Sequence, residues 1–422
     1  MDNLTHALAG LLIAECALQF RRRQRDTLML RDGGADAPGR LRPTVAISSL
    51  VAANLPDFDL LYTGFGADSL AYMLHHRGYT HTVLVALVGA VALWAIAVAV
   101  QRWRTTSPLT RGDRRWLLAT LTVSTLSHLV LDWTNSYGVH PFWPLDSRWF
   151  YGDSVFIVEP WFWVITIPML VAGYSSGVAR ALLSLALIAG LGLAWFVPLV
   201  SAGAAAMLTA GAVLAVIAAR ALQPSTRPIA ALGAWITVTL TMVTGSSIAR
   251  SAATRAVLEV APEVELLDMV VTPLPTNPLC STVVTVERSG DRYGVQIARV
   301  SAAPGLVDPA RCAVTGNGGP TFTGSTRRSS AAVHWDRQSS ASIRELVALR
   351  RSSCAVAAAL RFLRVPAWQP LNATELQLGD ARFGGAAPGI LSLRAPRTSD
   401  ACSIPVVPWT PPRADLLNGA AR

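Results

Sequence analysis

A chain of 422 residues that is 52% hydrophobic and only 15% charged is too apolar for a single water-soluble body, where about 25% of residues carry charge. The deficit lies in residues 1–250; residues 251–422 have an ordinary composition. The formal charge of +10 would suit a nucleic-acid binder, but the basic residues, all arginine, sit between apolar runs as they do in cytoplasmic loops, which argues against nucleic acid as a partner.

In chain order, residues 5–20 (THALAGLLIAECALQF) predict a helix capped by Asn3 or Thr5. It is short for a membrane span and carries His6 and Glu15. The cluster Arg21, Arg22, Arg23 and Arg25 follows this stretch and no small-residue cleavage site stands out, so a reverse-oriented anchor is expected rather than a cleaved leader. Residues 21–43 predict a loop. Residues 44–55 are a second short apolar segment, of a length that suits a re-entrant or core helix better than a span, and 56–80 are polar and irregular. Longer apolar runs follow at 82–101, 116–133, 155–173, 180–199, 203–222 and 229–248, each near the length that crosses a hydrocarbon core.

Arginine sets the orientation. Loop 102–115 is strongly basic, and Arg180, Arg220 and Arg227 flank the turns that alternate with it, whereas 134–154 and 200–202 carry little positive charge. The positive-inside rule then puts 102–115 in the cytoplasm and the C-terminal region outside. Cysteine usage agrees. Cys280, Cys312, Cys354 and Cys402 lie in the polar C-terminal region, an even number that permits two disulfides in three possible pairings. There, 281–287 and 292–300 predict strands joined at Ser289-Gly290-Asp291, 341–363 has helical spacing, and 303–332 and 382–400 predict loops. The expected architecture is an all-α polytopic membrane bundle over 1–250 followed by a smaller α+β soluble domain over 251–422, outside the cytoplasm of a bacterial inner membrane.

Ionisable residues in or beside apolar runs are costly and therefore functional candidates. His76-Arg77-Gly78-Tyr79-Thr80-His81 runs into the 82–101 segment, and His128 precedes Asp132 by one helical turn, so both can face one cavity. Asn54-Leu55-Pro56-Asp57-Phe58-Asp59 ends its segment with two carboxylates. On the arginine-derived topology His6, Asp57, Asp59, His76, His81, His128 and Asp132 all fall at the outer level of the membrane. Imidazole and carboxylate are ligands for zinc, manganese or iron. These seven are the candidate metal ligands, with Asp57 or Asp59 as the alternative general base. Arg77 is the candidate grip for an anionic substrate, since its fork suits phosphate. His75, His140, Asp153 and Glu159 are weaker candidates, and His334 has no evident partner. Trp133, Trp143, Trp149, Trp161 and Trp163 predict an interfacial aromatic belt.

The order Asn3-Leu4-Thr5-His6, Asn54 to Asp59, His76 to His81, Ser127-His128-Leu129-Val130-Leu131-Asp132-Trp133 and Pro141-Phe142-Trp143-Pro144 resembles the membrane-bound metal-dependent hydrolases, the YdjM-like family also labelled inner-membrane LexA-binding hydrolases. The likeness covers about 1–165. Pro273 to Pro278 and Gly379 to Phe383 resemble that family's tail. The resemblance implies a distant similarity to zinc-dependent phospholipase C and P1 nuclease, with His128 and Asp132 as an HxxxD ligand pair and His6 and Asp57 or Asp59 in other ligand places. Two features depart from it: the N-terminal tryptophan ligand of the soluble enzymes is missing, and Glu159 stands where aspartate is expected. The resulting expectation is hydrolysis of a phosphoester or phospholipid-like substrate by metal-activated water, with membrane lipids as partners. A metal-ion or small-solute transporter and a non-catalytic membrane scaffold are the alternatives.

Overall fold

The computed structural model describes residues 1–32, 41–63, 68–104, 109–316, 319–400, 402, 405 and 407–418. Its helical part comprises α1 (Asn3–Asp32), α2 (Leu41–Asn54), α3 (Leu60–Thr63), α4 (Ser69–His75), α5 (Val83–Arg104), α6 (Arg111–Trp133), α7 (Pro160–Gly173), α8 (Gly177–Phe196), α9 (Ala202–Ala221) and α10 (Arg227–Val260). Then come β1 (Glu265–Leu274), β2 (Asn277–Ser289), β3 (Arg292–Ser301), β4 (Thr323–Gly324), β5 (Val333–Ser342), α11 (Ile343–Ser352), α12 (Cys354–Ala359), β6 (Pro366–Pro370), β7 (Glu375–Asp380), β8 (Ser392–Pro396) and α13 (Ala414–Asn418).

Among the described residues four helices, α5, α8, α9 and α10, are long and apolar enough to cross a membrane, fewer than the six runs expected. Segment 116–133 belongs to α6, whose first turn carries Arg111, Asp113, Arg114 and Arg115. Segment 155–173 loses its start to the cap at Glu159 and Pro160, which leaves 14 helical residues. Conversely, α1 runs on to Asp32 where a loop was expected from 21, because arginine, glutamine and leucine are good helix formers once a helix is nucleated. Positions 33–40, 64–67, 105–108 and 317–318 of the expected loops lie outside the described residues.

The chain divides into two compact units, each discontinuous: Met1–Phe58, Thr80–Asp132 and Ile157–Leu240 form the first, and Asp59–Tyr79, Trp133–Phe156 and Thr241–Arg422 the second. In the first, α1 and α2 cross closely. A Cβ on Gly10 would lie 2.4 Å from the Ser49 carbonyl oxygen and 2.8 Å from the Ala53 Cβ, so only glycine lets the backbones meet there. Ala14 and Leu18 from α1, Val45 and Ala52 from α2, Ala97 and Val98 from α5 and Leu117 and Leu121 from α6 build the adjoining core. Trp163 of α7 lies over Gly190 of α8 and donates its indole N–H to the Thr5 hydroxyl at 2.8 Å. Gly10→Val is expected to force α1 and α2 apart and to destabilise the bundle by about 1–3 kcal/mol. Thermal unfolding in detergent measures this, and an unchanged midpoint would contradict the close crossing.

In the second unit an antiparallel sheet runs β1-β2-β3-β5-β4, and a smaller antiparallel sheet runs β6-β7-β8. Alternation along β2 and β3 gives the large sheet two apolar faces. Val284, Val286, Val295 and Ile297 pack with α11, α12 and the small sheet. Val283, Ala298 and Val300 pack with Ala249, Ala253 and Val257 from the second half of α10. The expected strands lie inside β2 and β3, and the turn between them carries Gly290 at φ +59°. The helix expected over 341–363 is broken at Ser353, whose hydroxyl caps α12 by accepting from the Val356 N–H, the role serine prefers over a helix interior. Disulfides join Cys280 to Cys312 and Cys354 to Cys402, closing 32- and 48-residue separations, each of which limits the unfolded chain by about 4 kcal/mol in a loop-closure account.

Charged groups buried in this unit are paired. Arg364 bridges Asp153 at 2.8 Å and Asp268 at 2.8 Å, and Arg382 holds Asp380 at 2.8 Å. Burial works to raise the Asp268 carboxyl, but Arg364 and then Arg413 outweigh it and hold the pKa at about 2. A carboxylate whose pKa is lower folded than unfolded stabilises above its unfolded value and loses that contribution as pH falls toward the folded one. The Asp268 contribution, about 2 kcal/mol, should therefore be intact above pH 4 and vanish between about 4 and 2. Asp268→Asn should flatten the acid limb of a stability–pH curve over that window.

Candidate metal centre

The first unit gathers five of the expected residues. Asp57 follows the end of α2 in a short 3-10 turn, His81 ends another just before α5, and His128 and Asp132 stand one turn apart on α6. All four are buried. His81 Nε2 lies 3.1 Å from His128 Nε2, 3.2 Å from Asp132 Oδ2 and 3.4 Å from Asp57 Oδ1. His128 Nε2 lies 3.3 Å from Asp132 Oδ2 and 3.5 Å from Asp57 Oδ1. Donors about 2.0–2.2 Å from one tetrahedral ion stand about 3.3–3.6 Å from each other, so these spacings of 3.1–3.5 Å are close to those of a four-ligand set.

Contacts behind the donors orient them. His128 Nδ1 lies 2.7 Å from the Ala53 carbonyl oxygen. A carbonyl only accepts, so Nδ1 carries the proton and Nε2 turns a lone pair into the cluster. His81 Nδ1 is 3.0 Å from the Thr80 hydroxyl, which can donate or accept, and its Nε2 faces the cluster. Two imidazole Nε2 atoms 3.1 Å apart, flanked by two buried carboxylates, make a set that a cation or a shared proton would compensate. Asn3 donates its amide N–H to Asp57 Oδ2 at 3.0 Å. His6 stacks on His128 with ring centroids 3.7 Å apart and places Nε2 3.3 Å from Asp132 Oδ1, which also receives the Met1 amino group. The buried His6 Nδ1 has no hydrogen-bond partner among the described residues. The donor set fits a divalent ion, and Asp57, His81, His128 and Asp132 can hold one.

Asp59, His76 and Arg77 lie in the second unit and contact one another. Asp59 Oδ1 is 3.0 Å from His76 Nδ1, and Asp59 Oδ2 accepts the Arg77 backbone N–H at 2.9 Å. Arg77 has φ +58°, and its buried guanidinium donates to Asn135 Oδ1 at 3.0 Å over the Tyr137 ring. His75 sits edge-on to Tyr62. His140 is buried against Trp149 and Trp409. Asp153 pairs with Arg364 and Arg250, Glu159 caps α7, and His334 lies 3.6 Å from Asp336. The expected tryptophan belt is only partial, since Trp149 and Trp163 are buried and spend their indole N–H groups on the Arg361 carbonyl and Thr5.

Sequence reasoning missed Asn3 and Thr5 as supports. The signal was present for Asn3, which precedes His6 by one helical turn. The Ala53 carbonyl left no signal, since every residue has one.

The model of the YdjM inner membrane protein family matches residues 1–199. That stretch contains every member of the four-donor set. With the four apolar helices, the match supports an inner-membrane protein. No curated protein and no solved structure matches the chain.

Proposed function

We propose that this protein is a metal-dependent hydrolase of the inner membrane, with zinc as its ion and a lipid-borne phosphoester as its substrate. One observation carries the reading: four buried groups from three separate segments turn ligand atoms toward one another, the two imidazole nitrogens lying 3.1–3.5 Å from each other and from the carboxylates. Two imidazoles with two carboxylates favour zinc over magnesium or calcium. A divalent cation held there would lower the pKa of water to about 7 and polarise a phosphoryl oxygen. Asp57 and Asp132 supply the negative charge of the site, and His81 and His128 supply neutral nitrogen. His6, outside this set, keeps Nδ1 available to take up or return a proton. The HxxxD pair His128 and Asp132 is also what supports a phospholipase C-like arrangement. A lipid-borne substrate suits helices whose outer faces expose Leu84, Val88 and Val91.

The test is metal content by mass spectrometry on protein purified without chelator or nickel, followed by assay of phosphoester release from a membrane-lipid extract. Absence of bound metal would remove the basis of the proposal, and metal without any hydrolysis would favour a transporter. The C-terminal domain is placed outside the cytoplasm, a placement supported by its two disulfides and by the arginine distribution. Protease added to intact spheroplasts should then remove it, and full protection would reverse the orientation.

A further inference from the structure

The first unit holds a second polar cleft, formed by α1, α2, α7 and the turn before α10, that shares no residue with the four-donor set. Arg22, Arg42 and Arg227 line it, with Glu15 as the one acidic group, so three cations face one carboxylate. Leu12, Met169 and Leu170 form its apolar wall.

The guanidinium groups keep donors in reserve. Buried Glu15 takes only Nε of Arg42, at 2.9 Å, and the Arg42 Nη1 and Nη2 atoms make no hydrogen bond among the described residues. That guanidinium is also held in place over the Tyr174 ring, 5.1 Å from its centroid. Arg227 gives Nε to the Leu222 carbonyl and Nη1 to the Ala172 carbonyl, leaving Nη2. Arg22 is exposed. The cavity of about 70 Å³ is large enough for a compact tetrahedral anion, given the 10–15 Å³ or so that one water requires on the same measure. Fixed guanidinium forks suit phosphate oxygens, and the excess of cations in the cleft suits an anionic headgroup. Basic pockets between membrane helices on the cytoplasmic side bind anionic headgroups in this way, and the arginine-rich ends of these helices are the cytoplasmic ones by the positive-inside rule.

We propose that this cleft binds the headgroup phosphate of one anionic glycerophospholipid of the cytoplasmic leaflet, on Arg22 and Arg42. The site is independent of the metal reading.

Native mass spectrometry of the full chain in detergent tests it, with phosphatidylglycerol, phosphatidylcholine and inorganic phosphate as probes. Phosphatidylglycerol should be retained about tenfold more tightly than phosphatidylcholine, and each arginine removed should cut that preference about fivefold. Arg22→Gln changes an exposed side chain and leaves the fold alone. The double change Glu15→Gln with Arg42→Gln removes the second cation without leaving a buried carboxylate unpaired. Equal retention of the two lipids, an unchanged preference in both variants, or displacement of the lipid by millimolar inorganic phosphate would each overturn the proposal; the last would mark a site for a free anion.

Discussion

On the proposed reading, Asp132→Asn is expected to abolish metal binding and phosphoester hydrolysis together. Asp132 Oδ2 faces both His81 Nε2 and His128 Nε2, while Oδ1 receives His6 and the Met1 amino group. Asparagine keeps the shape but deletes the charge, and its amide either turns a donor N–H toward the imidazole lone pairs or gives up the contact with His6. Removing one partner from a buried charged set costs about 3–5 kcal/mol, equivalent to roughly a hundred- to several-thousandfold in metal affinity. Metal content should fall from stoichiometric to background while the purified protein still elutes as a folded species. Phosphoester release should fall with it. Full metal retention in this variant would take Asp132 out of the ligand set and leave it a structural acceptor for His6 and the amino group.

What the sequence could reveal about this site follows from the range of the interactions. The pairing of His128 with Asp132 is local, set by the helical repeat, and so legible. His6, Asp57 and His81 were legible only through orientation, because the arginine pattern put their segment ends at one membrane level. The same argument put Asp59, His76 and Arg77 at that level too, and they contact one another. The fold divides in the same manner. Apolar runs located α5, α8 and α9, and alternation located β2 and β3. The cysteine pairing and the edge strand β1 depend on long-range packing and left no local pattern, whereas the cap at Ser353 is a local serine preference that helical spacing alone overlooked. In α6 the apolar run located the helix from residue 116 onward, and only its polar start at Arg111–Arg115 was missed.

The sign of a second substitution should depend on whether metal is present. Asp57 and Asp132 are buried carboxylates that share the same two imidazoles. In chelated protein Asp132 still has the Met1 amino group, whereas among the described residues Asp57 meets Asn3 and the two imidazoles, and buried charge without a full counter-ion is destabilising. Asp57→Asn removes one charge and preserves a carbonyl oxygen able to accept from Asn3, so chelated Asp57→Asn should be more stable than chelated wild type. With metal the order reverses. An ion that binds only the folded state adds about 2.7 kcal/mol at a concentration of 100 times its dissociation constant, and the variant forfeits most of that. Thermal unfolding of both proteins with EDTA and with added zinc therefore gives four midpoints, and the two pairs should be ordered oppositely. If Asp57→Asn lowered stability equally in both conditions, Asp57 would be holding the helix ends together through Asn3 and the imidazoles, and the site would need no cation to explain its residues.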